Sequence, residues 1–529
     1  MKRTYFYWSA LAALCLLLLG YLLARAALLS ITHDEAGTTD FAVVPVWDIM
    51  FAARQFETAN NHILNSLLLK GCVALYGYHE WAVRLPNVLA FLLYFVAGVS
   101  IVQLLTQHSG QRLAGMLLLC GVPYLLDFFA LARGYGLANA WSMAAIAALL
   151  FYVRLQQTRW LWRCFAAAAL AAYANFTWLN LYLTLWVVII VLFIGKNGIK
   201  AFRDRQFVQH QIPPLLIGLL LALLSYRPIS YLQANNEFKW GAETFVASLQ
   251  TLAADLLYNQ TFPFLQAEQS KLLLMGLLLF LPLLMLIAAV RLLIQKRLVA
   301  NPTLQLTAVI AMVLIVMTAG IIAQRHLLGT YYIDGRKATL YIPPLLVLLT
   351  GSMLLLWQTG STGKIAALLL TFMISAAFVK SINLYSCREW WYDANSKEVA
   401  TALAKEGNTV VALSWQFAPA FQFYNQHHFN NRLILIKTNE IPQPSNARYY
   451  YVMGDEIRNV PPQYRPVQRF FWDRFLLKKD TVAYLQQLYT ISGRLRAAKQ
   501  TATDALQQAA NRLKEERRTL VWEGLFWNN

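Results

Sequence analysis

Long apolar runs separated by short polar segments fill the first 384 residues. A helix rises 1.5 Å per residue, so about 20 apolar residues are needed to cross roughly 30 Å of hydrocarbon. About eleven stretches read this way. They are 6–29, 86–106, 113–131, 134–153, 163–178, 179–194, 212–232, 271–294, 303–323, 338–357 and 364–384. The cuts inside 113–153 and 163–194 are the least sharp, because two hairpins run together there. The first stretch is long and no small-residue cleavage site follows it, so it reads as a retained helix and not as a removed signal.

Lys and Arg in short loops set orientation. If every stretch crosses and the N-terminus is cytoplasmic, Lys2, Arg3, Arg112, Arg154, Lys196 and Lys364 fall on one side. Residues 1–384 hold 13 Asp and Glu, and only Asp204 shares that side. Acids do little to set topology, so the skew points to a polar working surface on the outer face. Two outer loops are long, 30–85 and 233–270. Both contain amphipathic stretches such as Ile63–Tyr76, which suit the interfacial plane.

The pattern changes after residue 384. Thr409–Leu413, Leu433–Lys437 and Ala447–Met453 read as strands, and Ser396–Lys405 as a helix. The expected fold class is therefore an all-α polytopic membrane domain over 1–384, followed by a small extracytoplasmic α/β domain over 385–480. Residues 481–529 read as a C-terminal polar helix, with a solvated tail as the plain interpretation.

Composition sharpens this. The chain has 529 residues, 58% hydrophobic and only 13% charged. Soluble chains are nearer a quarter charged, so a cytosolic enzyme, a disordered scaffold and a nucleic-acid-binding module are excluded. The net charge of +19 reflects loop placement rather than a nucleic-acid partner. The five cysteines show neither a CxxC pair nor zinc spacing.

Four segments could carry chemistry. Thr32-His33-Asp34-Glu35 follows the first span. Its paired carboxylates suit a general base with an electrostatic neighbour, or a helix N-cap with an acidic first turn. Asp127 and Arg133 lie amid apolar spans, where ionisable groups face a cavity or a partner. They either pair with each other, or Asp127 joins Asp34 while Arg133 clasps a lipid-borne phosphate. Arg325, His326, Arg336 and Lys337 sit on the outer side, against the positive-inside trend. They bind an anionic headgroup or snorkel at the interface. His62 precedes an amphipathic helix and is a cap, a surface residue, or an acceptor or metal contact. Metal binding by Asp34, His62 and Asp127 stays open, without local ligand spacing to support it.

In order, His33-Asp34-Glu35-Ala36, Asn61-His62, Leu68-Leu69-Lys70, Glu80-Trp81-Ala82-Val83-Arg84-Leu85-Pro86, Arg133-Gly134-Tyr135 and Asp334-Gly335-Arg336-Lys337 resemble the GT-C glycosyltransferase superfamily. The likeness is to its bacterial branch akin to protein O-mannosyltransferases and lipid A aminoarabinose transferases, and it covers roughly residues 1–350. It implies a metal-independent or loosely metal-assisted transferase in a bacterial inner membrane, with the N-terminus cytoplasmic and the site facing outward. The donor would be a sugar on a polyprenyl phosphate, and the acceptor a hydroxyl on protein, lipid or glycan. Carried over, Asp34 becomes the base, Glu35 its neighbour and Asp127 a second acidic contact. Arg133, Arg336 and Lys337 become contacts for the donor phosphate. One departure stands out: many relatives have His-Pro-Pro where this chain has His62-Ile63-Leu64. A transporter or flippase for lipid-linked sugars, and a polysaccharide polymerase or ligase, are the competing readings.

Overall fold

The computed structural model describes residues 2–52, 60–198, 204–237, 240–262, 265–294, 301–437, 447–480, 482, 486, 490 and 508–515. The chain divides into two compact units. One comprises Met1–Leu29 and Thr38–Glu389, the other Ser30–Gly37 and Trp390–Asn529.

Among the described residues, the first unit has 9 helices long and apolar enough to cross a membrane, or 10 if one bent pair counts as a span. The eleven apolar runs all form helices, and two account for the difference. The run at 113–131 breaks into Ser109–Cys120 and Pro123–Phe129, which meet at 69°. Pro123 has no N–H to donate, and Val122 before it is extended (φ −112°, ψ 105°), so the helix cannot continue through. The run at 163–178 forms Arg159–Ala174, only 16 residues. That is about 24 Å at 1.5 Å per residue, short of the roughly 30 Å hydrocarbon core.

Helix Gly134–Leu155 is among the most enclosed and packs between Glu80–Leu105 and Arg159–Ala174. Small residues permit that closeness. A Cβ added at Gly136 would lie 2.4 Å from the Phe128 carbonyl oxygen and 2.7 Å from Asn87 Oδ1. Arg205–Ala234, Ala267–Arg291 and Ser361–Ser381 instead leave most of their apolar surface uncovered. Leu216, Leu219, Leu220 and Leu223 form one such face, which only lipid would cover. Each long loop carries a shorter apolar helix, Ile63–Tyr76 in the first and Phe245–Leu257 in the second.

The second unit holds a five-stranded sheet. Its strands are β1 (Thr409–Leu413), β2 (Leu433–Lys437), β3 (Tyr449–Met453), β4 (Tyr464–Phe470) and β5 (Arg474–Lys479). The order is β2-β1-β3-β5-β4, parallel from β2 to β3 and antiparallel beyond. Helices Ser396–Lys405 and Ala418–His427 flank β1 in the chain. Ala412, Tyr450, Val452, Tyr464, Phe475 and Leu477 pack into one core layer. On Tyr451, Phe417 stacks at 4.4 Å and Phe421 at 5.6 Å. The expected strands and the first helix are present, and the β4–β5 hairpin adds to them. Pro466 is tolerated in β4 because that strand is an edge and is irregular between Pro466 and Gln468. The expected polar helix over 481–529 lies mostly outside the described residues, of which 508–515 are helical.

Candidate active site

The break at Pro123 turns the chain so that Asp127 lies on a short helix of its own, Pro123–Phe129. Arg25, near the end of the first span, donates to Asp127 Oδ1 at 2.5 Å. The Tyr258 hydroxyl lies 3.0 Å from both carboxylate oxygens, and the Arg388 backbone N–H donates to Oδ2 at 2.7 Å. Arg25 also donates to the carbonyls of Asn383 (2.7 Å) and Ser386 (2.9 Å). The sequence left open a pair between Asp127 and Arg133; in the structure Asp127 pairs with Arg25. Its oxygens are spent on protein donors, so the group acts here as an anchor. It ties the first span to the second long loop and to the chain leaving the last span.

Asp255 extends this knot. It pairs with Arg388 Nε at 3.2 Å, while the Arg388 guanidinium also reaches Asn259. Burial, then the Glu389 charge, push the Asp255 carboxyl from 3.8 up to about 6, with Arg388 opposing. The folded chain therefore holds this proton more tightly than the unfolded chain. The associated stability is complete below about pH 4 and is lost as pH rises through about 6. The apparent melting temperature should fall across that window, and Asp255→Asn should flatten this part of the profile. An identical profile in the variant removes Asp255 as the source.

A second cluster forms where helix Gly134–Leu155 begins. Arg133 is extended and fully buried, and donates to Thr38 Oγ1 at 2.8 Å and Asn60 Oδ1 at 3.1 Å. His62 donates its backbone N–H to the Asn60 carbonyl at 3.0 Å, so Arg133 and His62 share one asparagine. The His62 ring meets Tyr135 edge-on at 5.0 Å. Gly134 allows this contact: an added Cβ would lie 2.6 Å from His62 Cβ and 2.2 Å from the Ala174 carbonyl oxygen. Burial first, then the Arg133 and Arg336 charges, hold the His62 imidazole well below its usual proton affinity. Arg336 arrives on the 3-10 turn Gly335–Tyr341, which packs on helix Gly134–Leu155 and on the turn Phe176–Trp178. Arg133 and Arg336, on distant segments of the sequence, thus both bear electrostatically on His62. Lys337 is engaged by Asp334 at 3.6 Å and by the Trp240 carbonyl.

Behind the same turn lies an apolar cavity of about 340 Å³. Leu249 and Leu252 of the loop helix line it, with Leu283, Leu314, Tyr341 and Leu345. Ser248 on that helix donates to the Ile333 carbonyl, and Ala242 bridges Tyr332, which hold the loop in place.

The segment with Asp34 belongs to the second unit. The Ser30 hydroxyl donates to the Ala394 carbonyl at 3.0 Å, and the Ile31 N–H to the Tyr424 hydroxyl at 2.8 Å. The His33 N–H donates to Asp393 at 2.7 Å. Thr32 and Glu35 make a reciprocal capping box: Glu35 N–H reaches Thr32 Oγ1 at 3.4 Å, and Thr32 N–H reaches Glu35 Oε2 at 3.0 Å. Glu35 thereby has a structural task. Asp34 sits in the same first turn, 9% exposed, and takes no part in the box. Burial pushes the Asp393 carboxyl well up, with the His33 backbone N–H and Ser396 opposing.

Among the described residues, no three His, Cys, Asp or Glu side chains group as a metal site. Arg25, Tyr258, Arg388, Asn65 and Asn87 were not singled out from the sequence as site residues. Asn65 donates to the Ala132 carbonyl at 3.2 Å, and Asn87 to Asn65 at 2.7 Å, so this pair holds the turn before Arg133. A charge inside an apolar span was the available signal for Arg25; the others carry none.

No family model and no curated protein matches the chain. Solved structures with similar backbones include ArnT from Cupriavidus metallidurans bound to undecaprenyl phosphate. That structure is 13% identical, with a TM-score of 0.44, over 89% of this chain and 98% of that one. The same protein in the apo state gives 15% identity and 0.42 over 90% and 98%. The Archaeoglobus fulgidus oligosaccharyltransferase, tethered to an acceptor peptide containing the NVT sequon, gives 12% and 0.46 over 86% and 70%.

Proposed function

We propose that the chain is a GT-C-type membrane glycosyltransferase that moves a sugar from a polyprenyl-phosphate donor to a hydroxyl acceptor on the extracytoplasmic face. The carrying observation is that the charges of Arg133 and Arg336 both act on His62, and that the turn bearing Arg336 has its far end, Tyr341, in the lining of the apolar cavity. An anionic headgroup needs guanidinium forks, and an isoprenoid tail needs apolar walls. The turn Gly335–Tyr341 carries one guanidinium, Arg336, and one wall of the cavity, Tyr341.

The chemistry assigned to the residues is direct displacement. Arg133 and Arg336 hold the phosphate and offset the charge that grows on it as the sugar leaves. Asp34, carried from the family likeness, takes the acceptor's proton, because a hydroxyl is a weak nucleophile until a base acts on it. Displacement in line inverts the sugar carbon. Asp127 acts through the helices it ties together. The excess of Lys and Arg in one set of loops supports a cytoplasmic N-terminus.

The test uses the full-length protein in liposomes with a radiolabelled monosaccharide on polyprenyl phosphate. Label passing to a hydroxyl acceptor, and lost by at least about tenfold in Arg336→Ala, supports the assignment. Labelled lipid that crosses the bilayer unchanged makes the protein a transporter and overturns it.

A further inference from the structure

His62 carries a polar atom that none of the described residues engages. The residue is only 6% exposed. One ring nitrogen is taken by the Ala174 carbonyl, while Nε2 is buried and meets no hydrogen-bond partner among the described residues. The tautomer follows: Nδ1 carries the hydrogen and Nε2 presents a lone pair. Burial and the two arginines keep the ring neutral. A buried, unmatched acceptor destabilises a fold, and an apolar ring of similar shape would avoid that cost. Its position beside Arg133 and Arg336 indicates what satisfies it: a ligand that is anionic and also brings a hydroxyl.

We propose that His62 Nε2 accepts a hydrogen bond from the P–OH of a phosphate monoester whose charged oxygens rest on Arg133 and Arg336. The inference rests on the polyprenyl-phosphate reading and deepens it. A sugar-loaded polyprenyl phosphate is a diester with one negative charge and no P–OH. The carrier left after transfer is a monoester, released as a dianion that gains a P–OH when it takes up a proton, which its second pKa of about 6 allows. Guanidinium forks only donate, and a neutral imidazole nitrogen only accepts, so the set matches a monoanionic monoester atom for atom. His62 thereby distinguishes the spent carrier from the loaded donor.

Direct binding to the full-length protein in detergent tests this. The probes are polyprenyl monophosphate and its monomethyl ester at pH 6, where about half of a monoester phosphate keeps its second proton. Wild type should bind the monoester about tenfold more tightly than the methyl ester, the worth of one hydrogen bond of this kind. His62→Phe and His62→Leu should bind both at the methyl ester's level, with an apparent melting temperature equal to or above wild type. His62→Gln, whose amide oxygen accepts, should recover part of the preference. Equal weakening toward both probes in the variants would make His62 a shaping residue and overturn the assignment. So would a wild type that does not discriminate. If neither probe binds wild type, the polyprenyl-phosphate reading fails along with the role given to His62, which separates that failure from the failure of His62 alone.

Discussion

Replacing Asp34 by asparagine should slow sugar transfer by about 10²–10⁴-fold, the usual worth of general-base assistance. The substitution keeps shape and removes the proton acceptor. The local fold should survive, because Thr32 and Glu35 hold the helix start. The segment is further held by the His33 N–H on Asp393 and the Ile31 N–H on Tyr424. Glu35→Gln serves as the comparison. Glutamine also completes a capping box, so its rate should stay within about tenfold of wild type. The measurement is transfer from a polyprenyl-phosphate-linked sugar, with melting temperature and yield recorded for each variant. Near-normal turnover by Asp34→Asn removes Asp34 from the mechanism. A collapse of yield in that variant alone makes Asp34 structural.

The second large effect is on stability. Asp127→Ala leaves Arg25 buried without its carboxylate, and breaking a buried pair from one side costs about 3–5 kcal/mol. Arg25 keeps the Asn383 and Ser386 carbonyls, which do not offset its charge. Asp127→Ala should therefore lower the melting temperature and the yield of monodisperse protein sharply. Arg25→Met with Asp127→Leu should cost much less, because no charge is then stranded. The double-mutant cycle reads the coupling directly. Additive single effects would show that the two groups act independently, and the anchoring role would fail.

Much of the architecture is legible in local pattern. Apolar runs of span length become helices because the backbone must satisfy itself where water is absent. β1 and β2 appear at the residues their composition marks. The hairpin β4–β5 is harder to see. Pro466 argues against a strand until β4 is known to be an edge. The turn gives no warning either, since Trp472 and Asp473 take φ of +57° and +56° without glycine. The break at Val122–Pro123 is a local effect that length alone concealed, and Arg159–Ala174 ends a turn or two short of a full crossing.

The chemistry divides the same way. Residue identity and order are enough to mark Asp34, Asp127, Arg133, Arg336 and His62 as candidates, because charge and imidazole are conspicuous among apolar spans. Which of them meet is a matter of helix packing. Arg25 reaches Asp127 across 102 positions, and Arg133 leaves Asp127 for Thr38 and Asn60. His62 packs against Gly134, which lets the chain come close, and feels the charges of arginines from two other segments. The segment at 30–37 joins a sheet domain that begins some 360 residues later, through backbone donors that any sequence would possess. Local periodicity reports only neighbours within a turn or two. Pairings between distant segments are set by how whole helices pack, and no single stretch of chain encodes that.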